Sequence, residues 1–255
     1  MGRRIRPSVA SAGQVPLDGD KRLCRRGALQ VCLGGVAAAL LAQVPRRARA
    51  DAGPRLYVFV PTDMGVLAFQ KLLSDSMPSV SVVAFSRYRD FEAALVDRPE
   101  GVLALEPTLR AKDLQPTVIG SAGDATEPYA LVSVGQPPDL STIGSVGAVD
   151  ILGRQGMKDL VKNVLGTTPR IERVTKVEDL LPLLQLASVE GVLVPERLVP
   201  SFQARSKLDL KATRTKAGVG LPALAVVSAG GSALANDVRA FSAHINDQLG
   251  VTKWA

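Results

Sequence analysis

Few residues in this chain are of the types that do chemistry. The two cysteines, Cys24 and Cys32, both precede residue 51, and the one histidine, His244, lies one position before the apolar Ile245 in a helical pattern near the C-terminal end. That inventory supports neither a Ser-His-Asp triad nor a His-rich zinc site. No G-x-x-x-x-G-K-[ST] occurs, and Gly218-Val219-Gly220 lacks the helix that a dinucleotide-binding glycine turn opens, so no cofactor is expected. Carboxylates remain: Asp63, Glu106 and Glu196 each follow an apolar run, where general acid–base work needs a second carboxyl group at a defined spacing. No paired spacing singles them out. The expectation is therefore a protein without catalytic residues or a metal, not an enzyme.

The formal charge of +7 suggests a nucleic-acid or anionic-membrane partner until its distribution is considered. Ten of the 31 basic residues lie in the first 50 positions with only two acidic ones, leaving 21 basic and 22 acidic residues in the rest. That remainder is close to neutral and has no basic stripe interleaved with aromatics, so no nucleic-acid partner is expected. The first 50 residues read as a leader: a basic stretch ending in Arg25-Arg26, an apolar run from Ala28 to Val44, and Ala48-Arg49-Ala50 before Asp51. The paired arginines and the Gly/Ala-rich apolar run resemble a twin-arginine signal, although Ala28 stands where that motif usually has Phe. The sequence thus predicts export to the periplasm and cleavage near Ala50. A retained anchor ranks second, because about 20 apolar residues span a bilayer. With both cysteines in the leader, the remaining 205 residues must rely on an ordinary apolar core.

The elements that would position any site follow from the apolar pattern. From Leu56, short apolar runs alternate with helical periods, as in a parallel sheet joined by crossover helices. Strands are predicted at 56–60, 80–85 and 102–105. Between them come the turn Pro61-Thr62-Asp63, with two candidate helix caps, and the polar turn Ser86-Arg87-Tyr88. The pattern repeats after a loop at 120–128, with strands at 129–134, 146–151, 171–174 and 192–195. Met157, Leu160, Val161, Val164 and Leu165 make a helical stripe, and Thr175-Lys176-Val177-Glu178 is a capping box for a Leu-rich helix through Leu186. Two further strands, at 208–213 and 223–228, precede a terminal helix with Val238, Phe241, Ile245 and Leu249. This predicts an α/β protein of two lobes, 51–130 with 222–255 and 131–221, each a mostly parallel sheet flanked by helices. Two crossings, near 129–134 and 217–226, would link the lobes and leave a cleft between them.

This order of elements resembles the type II periplasmic substrate-binding proteins, in particular the phosphate and phosphonate branch of ABC-transporter binding proteins. The likeness is carried by Leu56 to Thr62, Phe85-Ser86-Arg87-Tyr88 and Gly101 to Pro107 in the first half. In the second it is carried by Asp139-Leu140 leading to Gly147-Ala148-Val149-Asp150, by Val189 to Glu196, and by Ala223 to Val227. These are apolar and turn patterns of low specificity. The resemblance implies a ligand held between the lobes by helix starts and strand ends, an environment that suits an anion. It further implies ligand contacts from Thr62 and Asp63 at the first helix start, from Ser86 and Tyr88 at the second, and from Glu106 and Glu196 after strands. Asp150 to Gly156 lies where that family has a Ser/Thr-rich turn. Here the hydroxyls are missing, and Arg154 and Gln155 stand in the turn, so Arg154 is expected to grip a carboxylate or phosphate.

The partners so implied are a small anionic solute and an ABC permease, with the exported part a monomer that does not span the membrane. Two other classes compete with an importer's binding protein. One is a periplasmic sensor or scaffold that has kept the fold and lost the ligand; the other is a carboxylate-based hydrolase or lyase.

Overall fold

The computed structural model describes residues 53–255, so the predicted leader and its cleavage near Ala50 lie outside the described residues. The described chain opens with three strand–helix steps: β1 (Arg55–Phe59), α1 (Val66–Ser76), β2 (Ser81–Ala84), α2 (Tyr88–Ala94), β3 (Gly101–Leu105) and the short α3 (Glu106–Arg110). Strand β4 (Val118–Ser121) follows, and then the two-residue β5 (Thr126–Glu127) leads out of this lobe. The second lobe contains β6 (Tyr129–Val134), β7 (Ser145–Val149), α4 (Gly153–Leu165), β8 (Arg170–Val174), α5 (Leu180–Gln185), β9 (Gly191–Pro195), α6 (Val199–Ala204) and β10 (Leu210–Arg214). The return passes through β11 (Val219–Gly220) into β12 (Pro222–Val226), α7 (Ser232–Arg239), α8 (Ala243–Leu249) and β13 (Lys253–Trp254).

The two sheets share a plan. In the first, with order β13-β4-β12-β3-β1-β2, strands β2, β1 and β3 are parallel, and β12 joins antiparallel to both β3 and β4. In the second, with order β10-β6-β9-β7-β8, strands β8, β7 and β9 are parallel and β6 joins antiparallel to β9. Each lobe is thus a parallel triplet extended by antiparallel strands. The central strands β3 and β9 are buried at every residue, the continuous apolar run expected of a strand covered on both faces.

Several predicted features take a different form. The segment 129–134 is an internal strand of the second sheet, and 217–226 divides into β11, which crosses, and β12, internal to the first sheet; the crossing is the antiparallel pair β5–β11, with Val219 opposite Glu127. The segment read as loop at 120–128 begins inside β4. The single terminal helix is broken into α7 and α8, because Ser242 takes extended dihedrals and its hydroxyl accepts the Ile245 N–H, capping a new helix. The capping box at 175–178 does not form. Helix α5 starts at Leu180, and the Thr175 hydroxyl donates to the Asp179 carboxylate at 3.1 Å instead of to the backbone.

Burial divides the core into three parts. Leu56, Phe69, Leu73, Leu103, Leu224 and Val238 fill one side of the first sheet, and Val132, Leu180, Val192 and Phe202 back the second. The third cluster runs without interruption from Phe59, Tyr88 and Phe91 in the first lobe to Ala148, Ile151, Met157 and Val161 in the second.

Candidate functional site

Parallel strands deliver their C-terminal ends to one edge of a sheet, and here the two such edges face each other. Segments 60–64, 85–88 and the start of α3 follow β1, β2 and β3; segments 150–153, 175–178 and 196–197 follow β7, β8 and β9. Ligands of open α/β sheets bind at such edges. A cavity of about 50 Å³ lies between them, lined by Val60, Pro61, Thr62, Met64, Phe85 and Ser86 from the first lobe. Val149, Thr175, Lys176, Val177 and Glu178 line it from the second.

Of the residues expected at a ligand, Thr62 and Ser86 line this cavity. The Thr62 hydroxyl donates to the Met64 carbonyl at 3.0 Å, whereas the Ser86 side chain meets no hydrogen-bond partner among the described residues. Asp63 sits beside the cavity and faces Arg205 of the second lobe, whose guanidinium donates to the Asp63 carbonyl at 3.3 Å with the carboxylate 3.6 Å away. Tyr88 is buried, packed on Phe59 with Lys112 over its ring, and it meets the second lobe at Gly153. Gly153 has φ of +70°, and a Cβ there would lie 3.1 Å from the Tyr88 ring, so both the turn and the lobe contact require glycine.

The other four expected residues point elsewhere. Glu106 pairs with Arg110 one helical turn on, at 2.6 Å, and Glu196 lies 3.5 Å from Arg214. Arg154 and Gln155 are exposed on the first turn of α4. Arg154 lines a separate pocket with Lys158, Arg170 and Arg173, on the second lobe alone. The turn that orients it is tied down from within, since one Asp150 carboxylate oxygen accepts the Gly153 N–H at 2.7 Å and the other binds Arg173.

Contacts that sequence reasoning did not single out hold the cleft shut. Thr108, fully buried, donates its hydroxyl to the Ile151 carbonyl across the lobes at 3.1 Å. Arg197 reaches from the end of β9 to the Pro61 carbonyl at 3.2 Å and to the Glu127 carboxylate at 2.5 Å. Glu127 is on the crossing strand β5 and its side chain is 5% exposed. Burial pushes its carboxyl above the usual range despite the opposing pull of Arg197, and burial together with Glu127 also raises the neighbouring Tyr129 hydroxyl. Lys176 and Glu178 were hidden by their fit to a capping box; unformed, that segment lines the cavity.

This architecture has counterparts among solved structures. The Bordetella pertussis BvgS periplasmic domain is 10% identical with a TM-score of 0.54, over 78% of this chain and 44% of that one. The BvgS VFT2 domain alone is 11% identical, with a TM-score of 0.52 over 77% of this chain and 92% of that one. An amino acid ABC transporter substrate-binding protein, AbpA from Streptococcus pneumoniae, bound to L-arginine, is 12% identical, with a TM-score of 0.51 over 78% and 97%. The fold is that of the two-lobed, type II periplasmic binding proteins.

At 10–12% identity the likeness concerns fold alone and carries no assignment to a branch. No family model and no curated protein matches the sequence. The cavity between the two sheet edges is narrow and largely apolar. Glu178 is the only carboxylate among its lining residues, so no carboxylate pair stands in it for acid–base work. Among the described residues there is no cluster of metal-ligating side chains, and no helix is long and apolar enough to cross a membrane.

Proposed function

We propose that this chain is an exported solute-binding protein that takes a small solute bearing an anionic group between its lobes and presents it to an ABC-type permease in the periplasm. The observation that carries this reading is the pair of opposed strand-end edges, lined from both lobes and joined by a crossing of two short antiparallel strands. Such a crossing can flex without disturbing either sheet. Lys176 supplies a cation at the cavity wall, and the hydroxyls of Thr62 and Ser86 face it from the other lobe. A phosphonate, a phosphate or a carboxylate satisfies that arrangement. About 50 Å³ holds a few water molecules and no larger solute, so entry requires the lobes to part, giving up the Thr108, Arg197 and Arg205 contacts. A ligand that re-closes the lobes would then signal its own occupancy.

A second reading is favoured by the apolar cluster that already joins the lobes and by the Tyr88–Gly153 contact. On that reading the protein is a closed periplasmic sensor or scaffold module without a transported ligand. Thermal-shift and calorimetric titration with phosphate, alkylphosphonates, dicarboxylates and amino acids separates the two. The transport reading expects one class to raise the melting temperature with concentration. Lys176→Ala should then weaken it roughly ten- to a hundred-fold, the loss of one charge-assisted hydrogen bond. If no class stabilises the protein, the closed-module reading stands in its place.

A further inference from the structure

The second lobe carries a concentration of positive charge that the cleft does not use. Arg154 and Lys158, one turn apart on α4, and Arg170 and Arg173 on β8 surround a pocket of about 420 Å³. Two of the four are committed within the lobe: Arg173 binds Asp150, and Arg170 donates to the Ser188 carbonyl at 3.0 Å. Arg154 and Lys158 meet no anion among the described residues, and like charges at this spacing on a helix repel. Glu172, the one acidic residue lining the pocket, offsets only part of that charge. The cluster does not reflect a basic background, because residues 51–255 hold 21 basic and 22 acidic side chains.

The pocket also lies on the sheet's outer strand. Strand β8 pairs with β7 on one side only, and the Arg170 N–H to Gly144 and Asp150 N–H to Val174 bonds show that residues 170, 172 and 174 face β7. The alternation of a parallel ladder then leaves the peptide groups of Ile171 and Arg173 without a strand partner on the outer edge. Unpaired N–H groups and unneutralised cations thus occur on the same element.

We infer that this outer face of the second lobe binds a multiply charged oxyanion, a phosphate or polycarboxylate group, at a site separate from the cleft. Arg154 and Lys158 supply the free cations, and Arg173, whose side chain shares the α4 face of β8 with Ile171, stands opposite them. The anion neutralises a like-charge pair that the fold leaves uncompensated. Because the pocket is open, binding weakens steeply with salt.

The test uses the chain from Asp51 onward, titrated with inorganic pyrophosphate at low ionic strength and followed by calorimetry and by amide shifts in NMR spectra. Wild type should bind with shifts confined to residues near 154–158 and 169–173. The double variant Arg154→Gln/Lys158→Gln, on exposed positions, should lose at least tenfold in affinity, and Lys158→Glu, which reverses one of the two charges, provides an independent second variant. Amide shifts that leave 60–64, 85–88 and 175–178 unmoved separate this site from the cleft. A parallel arm with phosphatidylglycerol vesicles distinguishes a lipid headgroup from a free anion as the source. Absence of pyrophosphate binding, affinity unchanged in both pocket variants, or shifts at 175–178 in place of 154–158 would each overturn the inference.

Discussion

Glu127 is a carboxylate that the fold both pairs and dries out, and the two effects oppose each other. Arg197, at 2.5 Å, favours the ionised form, but burial on the crossing strand outweighs it and holds the carboxyl above its ordinary range. The folded chain therefore binds this proton more tightly than the unfolded chain does. The group's contribution to stability is full below the unfolded carboxylate value and is lost as pH rises through the raised folded value. Glu127→Gln removes the titration while keeping the shape. Measured as melting temperature, the stability of wild type relative to this variant should fall as pH climbs from the ordinary carboxylate value through the raised one. A difference flat across that window would mean that Arg197 fully repays the burial. The same residue shows why part of the site was illegible: nothing in the local sequence Thr126-Glu127-Pro128 announces that an arginine 70 positions later closes over it.

Strands were legible where apolar runs are dense, as in β1, β3, β6 and β9, whose observed ends lie within a residue or so of those predicted. Strand β4 was not, because Val118-Ile119-Gly120-Ser121 alternates buried and exposed positions beside glycine and becomes a strand through pairing with β12 and β13. The cleft residues divide in the same way. Thr62 and Ser86 line the cavity because strand ends can be read, whereas the outward direction of Arg154 depends on the rotational phase of α4. That phase is fixed by Met157 and Val161, which are buried inward while Arg154 and Lys158 share the exposed side. Met157 also lies under the cleft turn, its sulfur accepting the Ile151 N–H at 3.4 Å. Met157→Ala should therefore cost about 2–5 kcal/mol, the range for truncating a fully buried large side chain. Urea unfolding monitored by circular dichroism measures it, and a cost under about 1 kcal/mol would mean that α4 is not anchored by this residue.

Closure of the whole molecule rests on a small number of named polar contacts superimposed on apolar packing. Removing Arg197 and Arg205 together takes away the bonds to Pro61, Glu127 and Asp63 while leaving both sheets intact. The double Ala variant should show a larger radius of gyration in small-angle scattering than wild type, for which a compact chain of this size gives about 17 Å. Identical curves would assign closure to the apolar cluster and Thr108 alone. The connectivity of the two sheets bears on a different matter, the order in which the protein can be built. The second sheet draws its strands from one continuous stretch, residues 129–214, whereas the first waits for β12, which must slot between β3 and β4 after residue 221. On a chain emerging from the N-terminal end, the second lobe can complete its sheet while the first still has an open slot in the middle of its own. During that interval β3 offers a fully apolar strand with a bare edge, the kind of surface that pairs with other chains. Holding that edge unpaired until β12 arrives is a demand placed on whatever escorts the nascent protein.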